Sequence, residues 1–487
     1  MKYISTRDGS VCVSAAQAVI DGISKDGGLY VPAEFPKLDY RQLLDMDYAA
    51  RAHSVLRAYF DFDITGVAEE AYATFETDDP APLVKLDDNV FVLELWHGRT
   101  HAFKDMALSV LPRLMTKAKA AVGDRSETLI LVATSGDTGK AALEGFKDVD
   151  GTRCCVFYPT DGVSRVQKLA MQTQAGDNVC VVGITGNFDD AQTAVKRAFA
   201  DDRLAQSLHE NGISLSSANS INIGRLVPQI AYYYSAYCDL VNAGEIADGD
   251  KADFVVPTGN FGNILAARYA MEMGLPIGKL ICASNKNNVL TDFINTGVYD
   301  VNRKFFKTES PSMDILVSSN LERLLFEVSG RDAALTRSRM EELKSCGKYS
   351  VSEQELGKIR EVFDCGYADD EQAEAAIAEV FDEYGYLIDT HTAAAFAVAL
   401  SGETSGATVV VSTANPYKFA PAVLRALGED AKDEASVRMF DTMCDITAME
   451  APQSLKDVFT AKIRFDKTVS PDNIISFIGQ QYGKNDR

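Results

Sequence analysis

From about residue 83 the chain repeats one pattern: a short apolar run, a turn of small polar residues, then apolar positions at helical spacing. Residues 90–95 read as a buried strand, and the stretch from 106 to 114 as the start of a helix. A strand at 128–134 precedes a helix at 140–146; strands at 154–158 and 179–184 precede helices at 166–175 and 189–199. The pattern resumes with a tyrosine-rich helix to about residue 237, a strand at 253–257, a helix to residue 273, and strands at 280–283 and 408–412. Short apolar strands alternating with amphipathic helices predict an α/β fold, a parallel sheet covered on both faces with right-handed crossovers.

Three stretches depart from the alternation. Residues 1–85 read as a distinct N-terminal unit, with helical spacing at 11–23, an extended piece at 29–32 and acid-rich helical patterns through 75. Thr77-Asp78-Asp79-Pro80-Ala81-Pro82 marks its boundary. Residues 300–385 are charged and helical without strand alternation, and read as a helical insertion in a core spanning 86–440. Residues 441–487 read as a short tail unit, and there is no internal repeat or low-complexity run.

Composition narrows the classes. A chain of 487 residues with 46% apolar residues supports two to four domains with a core that needs no staple. The net charge of −22 opposes nucleic acid and anionic membranes, but leaves room for a small anion held by helix N-termini and backbone amides. Nine cysteines without a CxxC pair point to reduced thiols. The N-terminus has no signal-like apolar segment, and no run approaches the ~18–20 residues of a membrane span, so a cytoplasmic protein is expected.

Candidate chemistry gathers at the turns. Lys104, in Trp96-His97-Gly98-Arg99-Thr100-His101-Ala102-Phe103-Lys104-Asp105, sits at a strand-to-helix junction ahead of an apolar face. Lost hydration there favours a neutral amine able to attack a carbonyl; a solvated first-turn lysine is the alternative on position alone. Thr258-Gly259-Asn260-Phe261-Gly262-Asn263, between a strand and a helix, reads as a phosphate cradle whose two glycines let the backbone turn tightly, or else as an ordinary tight turn. Ser135-Gly136-Asp137-Thr138-Gly139-Lys140 lacks P-loop spacing and suits a carboxylate at a helix start, or a plain N-cap. Arg225 follows Ser216, Ser217, Asn219, Ser220 and Asn222, neighbours that suit phosphate or carboxylate capture. His97 and His101 lack a third ligand, so no metal is expected, and Tyr232, Tyr233, Tyr234 and Tyr237 read as packing.

Together these motifs resemble the threonine synthases, fold-type II enzymes dependent on pyridoxal 5′-phosphate (PLP), within the tryptophan synthase β-like superfamily. The likeness rests on residues 97–105, Ser135-Gly136-Asp137-Thr138-Gly139, Asn219-Ser220-Ile221-Asn222, Gly259 to Asn263 and Ser318-Ser319-Asn320-Leu321-Glu322-Arg323, with Tyr3-Ile4-Ser5-Thr6-Arg7, Asp389 with Thr392-Ala393, and Thr413-Ala414-Asn415-Pro416 in support. Asn415 stands where many members have histidine. The resemblance implies two doubly wound parallel-sheet subdomains, the smaller at 131–224 closing over the substrate. It implies that Lys104 carries PLP as a Schiff base, that Gly259, Asn260, Phe261, Gly262 and Asn263 hold its phosphate, and that Thr413 meets the pyridine nitrogen. It places the substrate carboxylate on Ser135, Gly136, Asp137 and Thr138, and the substrate phosphate on Asn219, Ser220, Asn222 and Arg225. The implied reaction, that of a carbon–oxygen lyase, converts O-phospho-L-homoserine and water to L-threonine and phosphate, the last step of threonine biosynthesis, in a monomer or homodimer. Another fold-type II lyase, such as a threonine-synthase-like phospho-lyase or a hydroxy-amino-acid dehydratase, is the alternative.

Overall fold

The computed structural model describes residues 1–134, 136–160, 163–401, 406–432 and 435–483. Its larger sheet has six strands in the order Phe363–Tyr367, Ile277–Ser284, Ala252–Pro257, Thr408–Ser412, Val90–Glu94 and Leu83–Lys85. Every neighbouring pair is parallel except the last, which is antiparallel. Alternate residues of its strands enter different cores: Phe91, Leu93, Phe254, Val256, Val409 and Val411 join one, and Val92, Val255 and Val410 the other. A sheet apolar on both faces must be covered on both, which is why its strands read as continuous apolar runs.

A smaller parallel sheet runs Thr468–Val469, Val179–Ile184, Thr152–Pro159, Glu127–Ala133, Ile213–Ser216. It divides in the same way, with Ile130, Val132 and Val156 on one side and Leu129, Leu131 and Phe157 on the other. No helix among the described residues is long and apolar enough to cross a membrane.

The structure differs from the sequence pattern in several places. Helical spacing at 11–23 gives a helix only over Ala15–Asp21; Cys12–Ser14 pairs antiparallel with Lys2–Ser5, and Ser14 caps the helix by accepting from the Gln17 N–H. Within the stretch expected to be a mostly helical insertion, Phe363–Tyr367 is the edge strand of the larger sheet. Its alternation is hidden because an edge strand is half exposed, and Asp364 and Gly366 interrupt the apolar run. The final stretch is no separate tail: Thr468–Val469 extends the smaller sheet, and the helix Ile474–Tyr482 sets Phe477 edge-on to Phe157 at 6.2 Å. A two-residue strand carries no period to read.

The chemistry-bearing turns all follow the carboxyl ends of parallel strands: residues 95–104 after Val90–Glu94, Gly136 after Glu127–Ala133, Thr258 after Ala252–Pro257, and Thr413 after Thr408–Ser412. Open α/β sheets place ligands at that edge.

Candidate active site

The segment bearing Lys104 is fixed at several points before the lysine is reached. Trp96 Nε1 donates to Ser412 Oγ at 3.0 Å. Gly98 packs against Asp105 so closely that a Cβ there would lie 2.5 Å from the Asp105 Cβ. The Asp105 carboxylate accepts from the Thr100 N–H (2.8 Å) and hydroxyl (2.6 Å), and burial pushes its pKa up to about 6. His101 takes a left-handed φ of 55°, a conformation uncommon for a residue with a Cβ. The Phe103 N–H then donates to the Thr413 carbonyl at 2.9 Å, so the lysine and the strand end bearing Thr413 are held side by side.

Lys104 is only 8% exposed. Its Nζ donates to Ser312 Oγ at 3.0 Å and lies 3.6 Å from Asp137 Oδ2. Burial lowers its pKa to about 8, Lys418 and Arg225 push the same way, and Asp137 opposes them. The other Asp137 oxygen meets Lys418 Nζ at 2.8 Å and accepts from Gln167 Nε2 at 3.1 Å. Burial by itself would raise the Asp137 pKa, but the two ammonium groups outweigh it and hold the carboxyl far below the usual carboxylate range. Arg225 is buried and its pKa is lowered by desolvation to about 10. Its guanidinium donates to the Ala218 carbonyl at 2.8 Å, and among the described residues it has no carboxylate partner. Two buried lysines thus flank the Asp137 carboxylate, and a third buried cation, Arg225, acts on Lys104, in a chain of net charge −22.

The cradle loop runs from Thr258 into the helix Gly262–Met273. The left-handed residue is Phe261 (φ 62°), so the glycines do not supply the positive φ their motif suggests. They supply room: a Cβ on Gly259 would sit 2.7 Å from the Ser312 carbonyl oxygen, and one on Gly262 would sit 3.3 Å from Asn320 Nδ2 and 3.9 Å from Ser220 Cβ. Among the described residues, the N–H groups of Asn260 and Phe261 have no hydrogen-bond acceptor. Asn263 Oδ1 accepts from the hydroxyls of Tyr232 (2.5 Å) and Tyr233 (2.6 Å), while its buried Nδ2 has no partner. These unpartnered donors beside a buried amine fit a phosphate and the aldehyde it carries, so the residues present suit PLP.

The other sequence candidates divide. Ser135 lies outside the described residues. Gly136 adopts φ 155° against the Gln167 side chain, but its N–H and that of Gly139 both donate to Thr134 Oγ1 at 3.0 Å. Of the expected carboxylate clamp, the Gly136 N–H is therefore engaged elsewhere; Asp137 is held by lysines, and Thr138 is half-buried. Asn219 is exposed and Ser220 half-buried, with Ser220 against Gly262. Asn222, expected at the substrate phosphate, has both polar ends engaged within the fold. It is fully buried, its Nδ2 donates to the Val19 carbonyl (3.0 Å), and its Oδ1 accepts from the Gly224 N–H (2.8 Å). Thr413 is buried, with its N–H on Thr392 Oγ1 at 3.3 Å. His97 pairs with Glu94 at 2.6 Å, and His101 with Ser454 Oγ; burial, followed by the charge of Lys418, lowers the His101 pKa to about 3.

Sequence reasoning missed Lys418, Ser312 and Gln167. Lys418 was findable, as a lysine two residues past Asn415-Pro416 at the same strand end. Ser312 carried no signal: it is fixed by donating its N–H to His391 Nε2 (3.1 Å), whose Nδ1 faces Asp389 at 2.7 Å. A cavity of about 410 Å³ opens beside Asp137 and Lys418, walled also by Arg99, Lys140, Gln167, Ser454 and Leu455.

Comparison with known proteins agrees with this geometry. The family model for pyridoxal-phosphate dependent enzymes matches residues 76–414, with models for the threonine synthase N terminus at 2–72 and the threonine synthase C-terminal region at 392–478. Threonine synthase of Pseudomonas aeruginosa is 40% identical over 436 residues, 88% of this chain and 90% of that one. Threonine synthase-like 1 of Homo sapiens is 43% identical over 452 residues, 87% of this chain, which spans 60% of that protein's length. The crystal structure of PLP-bound threonine synthase from Brucella melitensis superposes with a TM-score of 0.88 at 37% identity, covering 99% of this chain and 100% of that one. The lysine at the strand end, the glycine loop beside it and the matches along nearly the whole chain lead to one conclusion: this chain belongs to the threonine synthase family of pyridoxal-phosphate dependent enzymes.

Proposed function

We propose that this chain converts O-phospho-L-homoserine and water to L-threonine and inorganic phosphate, in the cytoplasm, as a monomer or homodimer. The observation that carries the reading is the buried excess of positive charge. Lys104 and Lys418 flank the Asp137 carboxylate, and the buried guanidinium of Arg225, whose charge acts on Lys104, has no carboxylate partner among the described residues; the loop beside them carries unpartnered backbone N–H groups. A cofactor and a substrate that each bear a phosphate would neutralise that excess. Nine unpaired cysteines suit a reducing compartment.

PLP, when bound, supplies a ring that delocalises negative charge from the substrate carbons. The cradle of residues 259–263 would hold its phosphate, Lys104 its aldehyde carbon, and Thr413 its ring nitrogen. Lys104 Nζ, with its pKa near 8, is neutral often enough at neutral pH to attack a carbonyl and to take the substrate's Cα proton. Asp137, kept ionised by Lys418, then stabilises the ammonium so formed and keeps the proton within reach of the reacting carbons. Arg225, with Asn219 and Ser220, would hold the phosphate that leaves from Cγ. Water must reach Cβ only afterwards, which closure of the smaller sheet's subdomain over the larger would ensure.

The test is an assay of the purified chain with O-phospho-L-homoserine, L-phosphothreonine and L-serine in parallel. Threonine and phosphate released in equal amounts from the first is the expected result. No threonine from it, with turnover of either other compound, would instead establish a phospho-lyase or dehydratase.

A further inference from the structure

Three residues of the segment Ser318-Ser319-Asn320-Leu321-Glu322-Arg323 have no part in the proposed reaction, yet each makes a specific contact with the anion-binding loops. Ser318 Oγ donates to the Gly259 carbonyl oxygen. The Asn320 N–H and Nδ2 both donate to the Asn260 carbonyl oxygen, each at 3.1 Å. Arg323 is fully buried, and among the described residues no carboxylate pairs with it. Its guanidinium instead donates to three oxygens: Asn320 Oδ1, the Tyr30 carbonyl (3.0 Å) and the Ile221 carbonyl (2.6 Å).

The peptide plane gives these contacts a consequence. In a trans peptide the C=O and the following N–H are rigidly opposed. Holding the Gly259 and Asn260 carbonyls toward Ser318 and Asn320 turns the N–H groups of Asn260 and Phe261 the other way. Neither of those N–H groups has an acceptor among the described residues. Left to relax, the loop would expose carbonyl lone pairs to an incoming phosphate. Ile221 lies within the segment carrying Ser220 and Arg225, so the same guanidinium touches the supports of both candidate phosphate sites.

We propose that Ser318 and Asn320 are positioning residues that orient the cradle's N–H groups for the cofactor phosphate, and that Arg323 couples this cradle to the substrate-phosphate segment through Asn320 and Ile221. The proposal rests on the cofactor reading above. Lysine cannot replace Arg323, because a point charge on a flexible stem does not reproduce a planar fork reaching three acceptors.

The experiment uses the full chain with its cofactor removed, and compares Asn320→Ala, Ser318→Ala and Arg323→Lys with the parent. It measures the PLP dissociation constant by fluorescence titration, the ³¹P chemical shift of the bound phosphate, and the melting temperature of the apo form. Asn320→Ala is expected to weaken PLP about tenfold and to move the ³¹P resonance at saturation, since one or two hydrogen bonds are lost. Arg323→Lys is expected to do both and also to raise KM for the phosphorylated substrate more than it lowers kcat. A role confined to fold stability would lower the apo melting temperature and leave the ³¹P resonance in place, and that result overturns the proposal. Should Asn320→Ala fail to fold, Ser318→Ala, which removes a single hydroxyl, carries the same two readouts. A parent that binds no PLP would refute the cofactor reading, an outcome separate from variants that bind as the parent does.

Discussion

Two regions of this molecule are candidates for holding phosphate, and they are built on opposite plans. The loop 259–263 offers main-chain N–H groups whose direction is set by rigid peptide planes, with Phe261 taking the one left-handed turn. The segment 219–225 offers side chains, and they serve two masters: Asn222 is wholly committed to the fold, while Arg225 makes one hydrogen bond and keeps its charge unpaired among the described residues. A main-chain site is complete before any ligand arrives, and its own side chains need only stay out of the way. A side-chain site must keep some groups back from the structure, and which ones it keeps back is invisible until the contacts are known.

Lys104 lies between the two, and its loss should have the largest effect. Lys104→Ala is expected to lower kcat by about 10⁴-fold, the range of a group that moves protons in the transition state. Both phosphate regions would remain intact, so noncovalent PLP binding should persist, seen as retained cofactor fluorescence without borohydride-fixed adduct. Turnover at the parental rate would remove the lysine from the mechanism altogether.

Arg225→Ala separates the regions. A charge-assisted hydrogen bond to phosphate contributes about 1.5–3 kcal/mol, so KM for the phosphorylated substrate should rise roughly 10–100-fold. PLP affinity should stay within about threefold of the parent, because the cradle makes no use of this side chain. Equal losses of both affinities, by steady-state kinetics and apo-protein titration, would show the two sites to be one.

The same contrast governs what could be read from the chain. The continuous apolar strands and the glycine loops between strand and helix were legible because main-chain geometry imposes its own residue types: Gly259 has to be small where the Ser312 backbone approaches. Side-chain roles were not. Asn222 and Arg225 stand three apart in one polar run, yet one is an N-cap that also ties down Val19, and the other an unpaired buried cation. The strand Phe363–Tyr367 was hidden because an edge strand need not be apolar on both faces. The contribution of residues near 454 and 468 was hidden because a single side chain and a two-residue strand leave no period.

The pH dependence of cofactor capture probes the amine directly. Lys104 has its pKa lowered from 10.5 to about 8, so its reactive neutral fraction grows as pH rises. The rate of adduct formation between apo-protein and PLP should climb about tenfold per unit between pH 6 and 7 and level off above about 8. A rate still climbing tenfold per unit through pH 9.5 would mean that the amine keeps its ordinary pKa and that burial does not govern it.

The smallest effect expected is on Asn222, and it decides whether the opposition of the two plans holds. Asn222→Ala removes a cap on the short helix Ile223–Leu226 and a buried bond to the Val19 carbonyl. The cap contributes about 1 kcal/mol and the second bond about as much, so stability should fall by roughly 2 kcal/mol, measured as a lower denaturant midpoint at unchanged slope. KM for the phosphorylated substrate should change by less than about threefold, because a side chain with both polar ends occupied has nothing left to offer a ligand. If KM instead rose as far as in Arg225→Ala while the midpoint stayed put, Asn222 would be exchanging its structural partners for the substrate. The side-chain region would then be assembled by its ligand, where the main-chain region stands ready without one.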